Sequence, residues 1–370
     1  MNIVLIGSAG RCGIKEYSHI LMEGLRALGH QVRYVGVHRH DNRDLARCIR
    51  QVKRNEEIVI FEYEPGIFWL GGLVRSMALL RVRWRGRLLL SIHEIGTEKY
   101  PEVQCIEKCL TRPLSGSWPG AIVKVLKFTA QMAFCFLKLR IGLLMMGWLP
   151  HAILVHSPKA ADNIRLAVPD NRKVRYVPHV VKRLDGERDA LRQQLGLPLD
   201  RFAFIVPGFL FRRKRIIDVI EQLPWGTELW IIGTESEYEK GYLQEIKSYI
   251  AASDKQEQVR LIQDYERMEQ YLVAADVAVF FYASGYQSGV ASLAVGAGKP
   301  CIFSDIDAFS DLRDAGLTVH TPAELHEAMI RIQDPSIYRN LQERAFCLRD
   351  LLAPKRIAAK YLSAVSQGIS

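Results

Sequence analysis

Apolar runs of three to six residues recur along the chain, and segments of helical length separate many of them. In the first half the runs are Ile3 to Ile6, Val32 to Val37, Ile58 to Phe61, Leu88 to Ile92 and Ala152 to Val155, with a helical stretch from Tyr17 to Leu28 between the first two. The second half repeats the rhythm with Phe202 to Val206, Leu229 to Ile232, Val259 to Ile262, Val277 to Phe281 and Cys301 to Phe303. Its helical stretches are Ile216 to Gln222, Tyr242 to Ala252 and Met268 to Ala275. Short strands alternating with helices make parallel sheets covered on both faces, so the pattern predicts an α/β chain of two doubly wound domains. A length of 370 residues also exceeds what one core serves. The charged stretch Lys182 to Asp200 lacks a strand and reads as the linker. The domains are therefore expected at 1–182 and 183–370, with a return of the last helix onto the first domain left open.

Charge changes the picture in one window. The net charge is +10, and between Leu70 and Pro150 twelve basic residues face four acids, which accounts for +8 of it. The neighbours of these charges are Trp, Leu, Met and Phe rather than the polar residues that read nucleic acid, so an anionic lipid surface is the expected partner and nucleic acid is not. Two segments carry this character, 69–87 and 119–148. In the second, Lys124, Lys127, Gln131 and Lys138 fall near one helical stripe. Four charges within it argue against a spanning helix, since each costs about 2.5–3.5 kcal/mol at the bilayer centre. An interfacial helix is expected, the competing reading being a helix packed on the first domain's sheet. Seven scattered cysteines suit a reducing compartment. Cys105 and Cys109 are four apart, but no second pair completes a zinc site. The opening Met1 to Gly7 reads as a first strand, too short for a signal peptide. The expected location is cytoplasmic, peripheral on the inner face of the membrane.

Candidate chemistry belongs on the loops that follow strands, because open parallel sheets bind ligands beyond their carboxyl ends. After the run ending at Phe281, Ser288-Gly289 opens a short helix and leaves the amides of Gly289, Val290 and Ala291 without intrahelical partners, a place for a diphosphate, with Ser292 one turn on. The turn Pro207 to Ile216 sets Arg212, Arg213, Lys214 and Arg215 before a helix, where cations conflict with the helix dipole unless an anion sits there. Gly7, Gly10 and Gly13 follow the first strand, at a spacing that is not the dinucleotide fingerprint. His93-Glu94 closes the fourth strand and Tyr63-Glu64-Pro65-Gly66 the third. Asp305 and Asp307 read as surface-loop acids rather than a metal pair, and no metal or cofactor is expected. An ordinary capped helix, a solvated charge run and a structural histidine are the plainer alternatives at these three places.

Taken in order, these motifs resemble a GT-B glycosyltransferase, and are most similar to glycosyltransferase family 4, over nearly the whole chain. Arg11 to Tyr17 with Gly29-His30 resembles the family's N-terminal loop and helix, and Glu62 to Phe68 and Ser91 to Glu94 resemble its acceptor-side strand ends. Gly208 to Lys214 resembles the Gly-Arg-Leu-x-x-x-Lys turn; Lys214 matches, whereas Phe209 holds the Arg position, so Arg212 or Arg213 has to substitute. The two family glutamates fall on Tyr286 and Ala294, and both carboxylates are missing.

The resemblance implies two Rossmann-like domains facing across a cleft. It also implies retaining, metal-independent transfer from a nucleotide diphosphate sugar to a saccharide or lipid-linked acceptor. The expected catalytic residues are then His93, Lys214 and Arg213. Donor contacts are expected from Gly13, Gly208, Arg212, Ser288, Gly289, Val290 and Ser292, and acceptor-side contacts from Arg11, Glu64 and Glu94. The alternatives are a sugar-nucleotide epimerase or hydrolase on the same frame and a non-catalytic binding or partner subunit.

Overall fold

The computed structural model describes residues 1–10, 12–93, 133–135, 137–236, 239–285 and 287–366. Arg11, Glu94, Cys105, Cys109, Tyr286 and half of segment 119–148 lie outside these residues. The chain divides into two units, Met1–Val177 with Ala358–Ser370, and Pro178–Ile357.

The first unit is built on strands β1 (Asn2–Ser8), β2 (Gln31–Val37), β3 (Ile58–Tyr63), β4 (Arg87–Ile92), β5 (Ala152–Val155) and β6 (Val174–Tyr176). They make one parallel sheet in the order β2-β1-β3-β4-β5-β6. The second unit has β7 (Ala203–Pro207), β8 (Glu228–Ile232), β9 (Val259–Ile262), β10 (Val277–Phe280), β11 (Cys301–Ser304) and β12 (Gly316–Val319), all parallel, in the order β12-β11-β10-β7-β8-β9. In both sheets the chain winds one way from a first strand and then the other. Each doubly wound sheet therefore has a switch point, between β1 and β3 and between β7 and β10. The strands are buried on both faces because helices cover them: Val4, Val59, Leu90 and Ile153 belong to the first core, and Phe204, Ile231, Val279 and Ile302 to the second.

Lys182 to Asp200 is not a bare linker. It contains the helix Arg188–Leu195, and its Arg192 is fully buried, donating to Asp276 Oδ2 at 2.8 Å and to the Ala274 carbonyl at 2.8 Å. Asp276 also accepts from Arg188 Nε at 2.7 Å and from the Ala203 amide at 2.7 Å. Charges that look solvated in the sequence are instead paired inside the second unit.

Candidate functional site

The second unit brings two predicted turns together at its switch point. β7 and β10 are neighbours, pairing Val277 with Phe204 and Ala278 with Ile205, so the loops after both strands leave the sheet side by side. Gly208 follows β7 at φ +90°, a conformation that glycine supplies without strain. A β-carbon there would lie 3.0 Å from Val290 Cγ1 and 3.1 Å from Lys214 Nζ, which places one residue of each turn and the predicted lysine around a single point.

Lys214 ends a short 3-10 turn, Arg212–Lys214, and is 4% exposed. Its ammonium donates to the Pro207 carbonyl at 2.7 Å and lies 5.6 Å from the centre of the Tyr282 ring. Burial, helped by the Arg213 charge, pulls its pKa down to about 7. No described carboxylate pairs with it, so near neutrality this amine is poised to take up charge when an anion arrives.

The three arginines differ. Arg213 keeps Nη1 on the Ser284 carbonyl at 3.2 Å and lies over Tyr282 at 5.4 Å, on the β10 side of the turn. Arg212 is committed elsewhere: its guanidinium pairs with Glu245 and stacks on Tyr242, and its amide donates to Glu239. A donor contact from Arg212 would need the Glu245 pair to open. Arg215, at φ +51°, pairs with Asp218. Among the described residues, Arg212 and Arg215 pair with protein carboxylates, whereas Lys214 and Arg213 do not.

Across the switch point the helix Gly289–Gly296 opens as the sequence suggests. Ser288 is its N-cap and accepts from the Ala291 amide at 3.3 Å, while Gly289 and Val290 occupy the first turn, where no intrahelical acceptor exists. Gly289 is exposed, and open space surrounds the position a β-carbon would take. Ser292 Oγ lies 3.1 Å from His179 Nδ1, a contact that sequence reasoning missed because the two residues are 113 positions apart. Ala294 is fully buried in the same helix. Its methyl group, where the family motif has a carboxylate, belongs to the core.

In the first unit, Gly13 starts the helix Gly13–Ala27 and Glu64 follows β3, its carbonyl accepting from the Ile67 and Phe68 amides at 2.9 and 3.0 Å. His93 follows β4 and is buried, with Nε2 2.6 Å from Glu62 Oε2. Around this pair stand Ser91, His156, Tyr17 and Tyr361, all buried and joined by hydrogen bonds. Glu62 and His156 were not singled out from the sequence. The available signal was a carboxylate in an otherwise apolar strand run and an imidazole directly after one. Asp305 is paired with Arg313 at 2.5 Å.

Residues 208–334, the stretch holding both turns, match the family model described as Glycosyl transferases group 1. The match makes this stretch, about a third of the chain, similar to a group 1 glycosyltransferase module. Solved structures agree with the fold over the whole chain. HepE of Anabaena in complex with UDP superposes with a TM-score of 0.72 at 14% identity, covering 98% of this chain and 100% of that one. Sucrose-phosphate synthase from Thermosynechococcus elongatus gives 0.69 at 17% identity, covering 99% and 98%. WaaG, a glycosyltransferase involved in lipopolysaccharide biosynthesis, gives 0.61 at 12% identity, covering 99% and 100%. The common architecture is GT-B. No curated protein matches the sequence. Within the module, Gly208, Lys214 and the Ser288-Gly289 turn are the parts whose geometry suits a diphosphate.

Proposed function

We propose that this chain is a glycosyltransferase that moves a sugar from a nucleotide diphosphate sugar to a hydroxyl of a membrane-associated acceptor, with retention of configuration and no metal in the transfer step. The observation that carries the reading is the approach of the Gly208 backbone, the Lys214 amine and Val290 at the β7–β10 switch point. The departing group is a diphosphate, so the main demand on the protein is to stabilise its growing negative charge. Lys214 and Arg213 supply cations, and Gly289 and Val290 supply amides at a helix N-terminus. HepE, which shares the fold, has been crystallised with UDP and with UDP-glucose.

His93 is proposed to meet the sugar or the acceptor. Arg11, Glu64 and Glu94 remain proposals for the acceptor side, two of them outside the described residues.

The acceptor class rests on the surface of the first unit. Phe134, Leu137, Ile141, Leu144 and Trp148 are all exposed and recur at spacings of three and four, one stripe of the described helical residues 133–135 and 137–148. The opposite face packs inward: Met146 is buried, and a β-carbon at Gly142 would lie 2.7 Å from Leu70 Cδ2. The helix Leu70–Arg83 likewise buries Leu73, Met77 and Leu80 and exposes Leu79 and Val82. Both segments therefore pack on the unit with one face and leave apolar, basic-flanked surface on the other, which suits a lipid headgroup layer. No helix of the described residues is long and apolar enough to cross a membrane.

The test is a panel of nucleotide diphosphate sugars incubated with the protein and a membrane lipid extract. Release of the nucleoside diphosphate together with a labelled lipid product supports the reading. Binding without turnover favours a non-catalytic subunit, and a changed sugar nucleotide without transfer favours an epimerase.

A further inference from the structure

We propose that Glu62, His93 and His156 form a zinc site buried in the first unit. The inference uses that unit alone and does not depend on the donor reading above.

The three residues come from adjacent strand ends. β3 pairs with β4, setting Glu62 opposite Ser91, and β4 pairs with β5, setting Ser91 opposite Leu154, two residues before His156. Their ligand atoms lie within 4.8 Å of one another, with Glu62 fully buried, His156 2% and His93 8% exposed. Glu62 is the anomaly. A carboxylate sealed inside a sheet needs compensation, yet its Oε1 has no hydrogen-bond partner, and Oε2 has His93 alone among described contacts. Among the described residues no lysine or arginine pairs with it.

The surroundings are arranged as an outer shell. His156 Nδ1 donates to the Val177 carbonyl at 2.9 Å, which fixes the tautomer and turns the Nε2 lone pair inward, as ligating histidines do. Ser91 Oγ lies 2.9 Å from His156 Nε2 and 3.4 Å from His93 Nε2, the place of a fourth donor. Tyr361 OH lies 2.9 Å from Ser91 Oγ and 2.8 Å from Tyr17 OH. Two imidazoles, a carboxylate and a hydroxyl are a donor set for zinc; magnesium and calcium prefer oxygen alone. A tetrahedron with bonds of about 2.0–2.1 Å has edges of about 3.3 Å. Donor atoms here lie 2.6, 2.9 and 3.4 Å apart, with the three ligand atoms within 4.8 Å of one another, so the His93–Glu62 pair has to open to admit the ion.

On binding, the proton shared by His93 and Glu62 passes to solvent and Zn2+ takes its place. With Nε2 on the ion, the His93 ring proton stands on Nδ1, so its other edge offers a donor rather than an acceptor. The ion ties the ends of β3, β4 and β5 together and, through Ser91 and Tyr361, holds the helix Pro354–Ser366.

The test uses the full chain, expressed with zinc in the medium and purified without a metal-affinity step. Elemental analysis is expected to give about one zinc per chain, falling below about a tenth in Glu62→Gln and His156→Asn and staying whole in Asp305→Asn. Chelation is expected to lower the melting temperature and zinc, not magnesium, to restore it. Should the two variants fail to fold, cobalt substitution of the wild type decides: a tetrahedral visible spectrum without a thiolate charge-transfer band supports the site. A thiolate band, zinc retained in full by both variants, or a wild type that carries no zinc and ignores chelator and zinc alike each overturns it. The last result would leave Glu62 and His93 as a closed ion pair.

Discussion

Lys214 Nζ donates to the carbonyl of Pro207 at 2.7 Å, and that single bond holds an amine that burial has brought down to an ionisation near pH 7. In the unfolded chain the group titrates near its ordinary value of 10.5. Between the two values the folded state binds fewer protons, so stability rises with pH across that window and the full cost is felt below it. Lys214→Met removes the cost. Urea unfolding is expected to show a gain over wild type that is larger at pH 6 than at pH 9, with an upper bound of about 5 kcal/mol. The same variant is expected to lose nucleoside diphosphate affinity, a trade of function against stability.

A diphosphate beside Lys214 favours the charged amine, so binding draws in a proton wherever the free amine is neutral. Affinity for UDP is therefore expected to weaken as pH rises from about 7 to 9. Calorimetry in buffers of different ionisation enthalpy reads the proton uptake directly. A flat profile would remove Lys214 from the binding account.

Gly208→Ala tests the close approach. At φ +90° a side chain is strained whatever the space, and the new methyl would press on Val290 and the Lys214 amine. A stability loss of about 1–3 kcal/mol is expected, with a larger proportional loss of diphosphate affinity. Ser288→Ala is expected to cost about 1 kcal/mol in helix stability through the lost N-cap, and Ser288→Gly only a few tenths. Thermal melts of the pair separate capping from ligand contact.

Asp276→Ala leaves Arg192 buried without its carboxylate. A loss of about 3–5 kcal/mol is expected in denaturant unfolding, far more than a solvated linker charge could give.

The stripe on residues 133–148 has its own test. Ile141→Asp with Leu144→Asp should weaken flotation with anionic vesicles while leaving UDP affinity unchanged. Equal flotation of variant and wild type would deny the stripe a membrane role.

Among the described residues, ten of the twelve strands were legible because each is a near-continuous apolar run. β6, Val-Arg-Tyr, and β12, Gly-Leu-Thr-Val, were not, since both are short edge strands whose outer residues are polar or half exposed. The glycine and lysine of the donor turn could be read from spacing, because backbone approach and charge are both written in residue type. Arg212 could not be told from Arg213. That distinction depends on Glu245, which lies 33 positions further along the chain and meets Arg212 only after folding. The linker reading of Lys182 to Asp200 failed for a related reason, since the buried partner of Arg192, Asp276, lies 84 positions away.

The central claim is that Lys214, Arg213 and the Ser288-Gly289 turn clasp the diphosphate of an activated sugar. Calorimetric titration of UDP, ADP and GDP into wild type and Lys214→Met measures it most directly. The account expects at least one nucleotide to bind the wild type and to lose about 10–100-fold in affinity in the variant, the worth of one charged hydrogen bond. Binding of equal strength in both proteins, or none of the three nucleotides bound by the wild type, would contradict it.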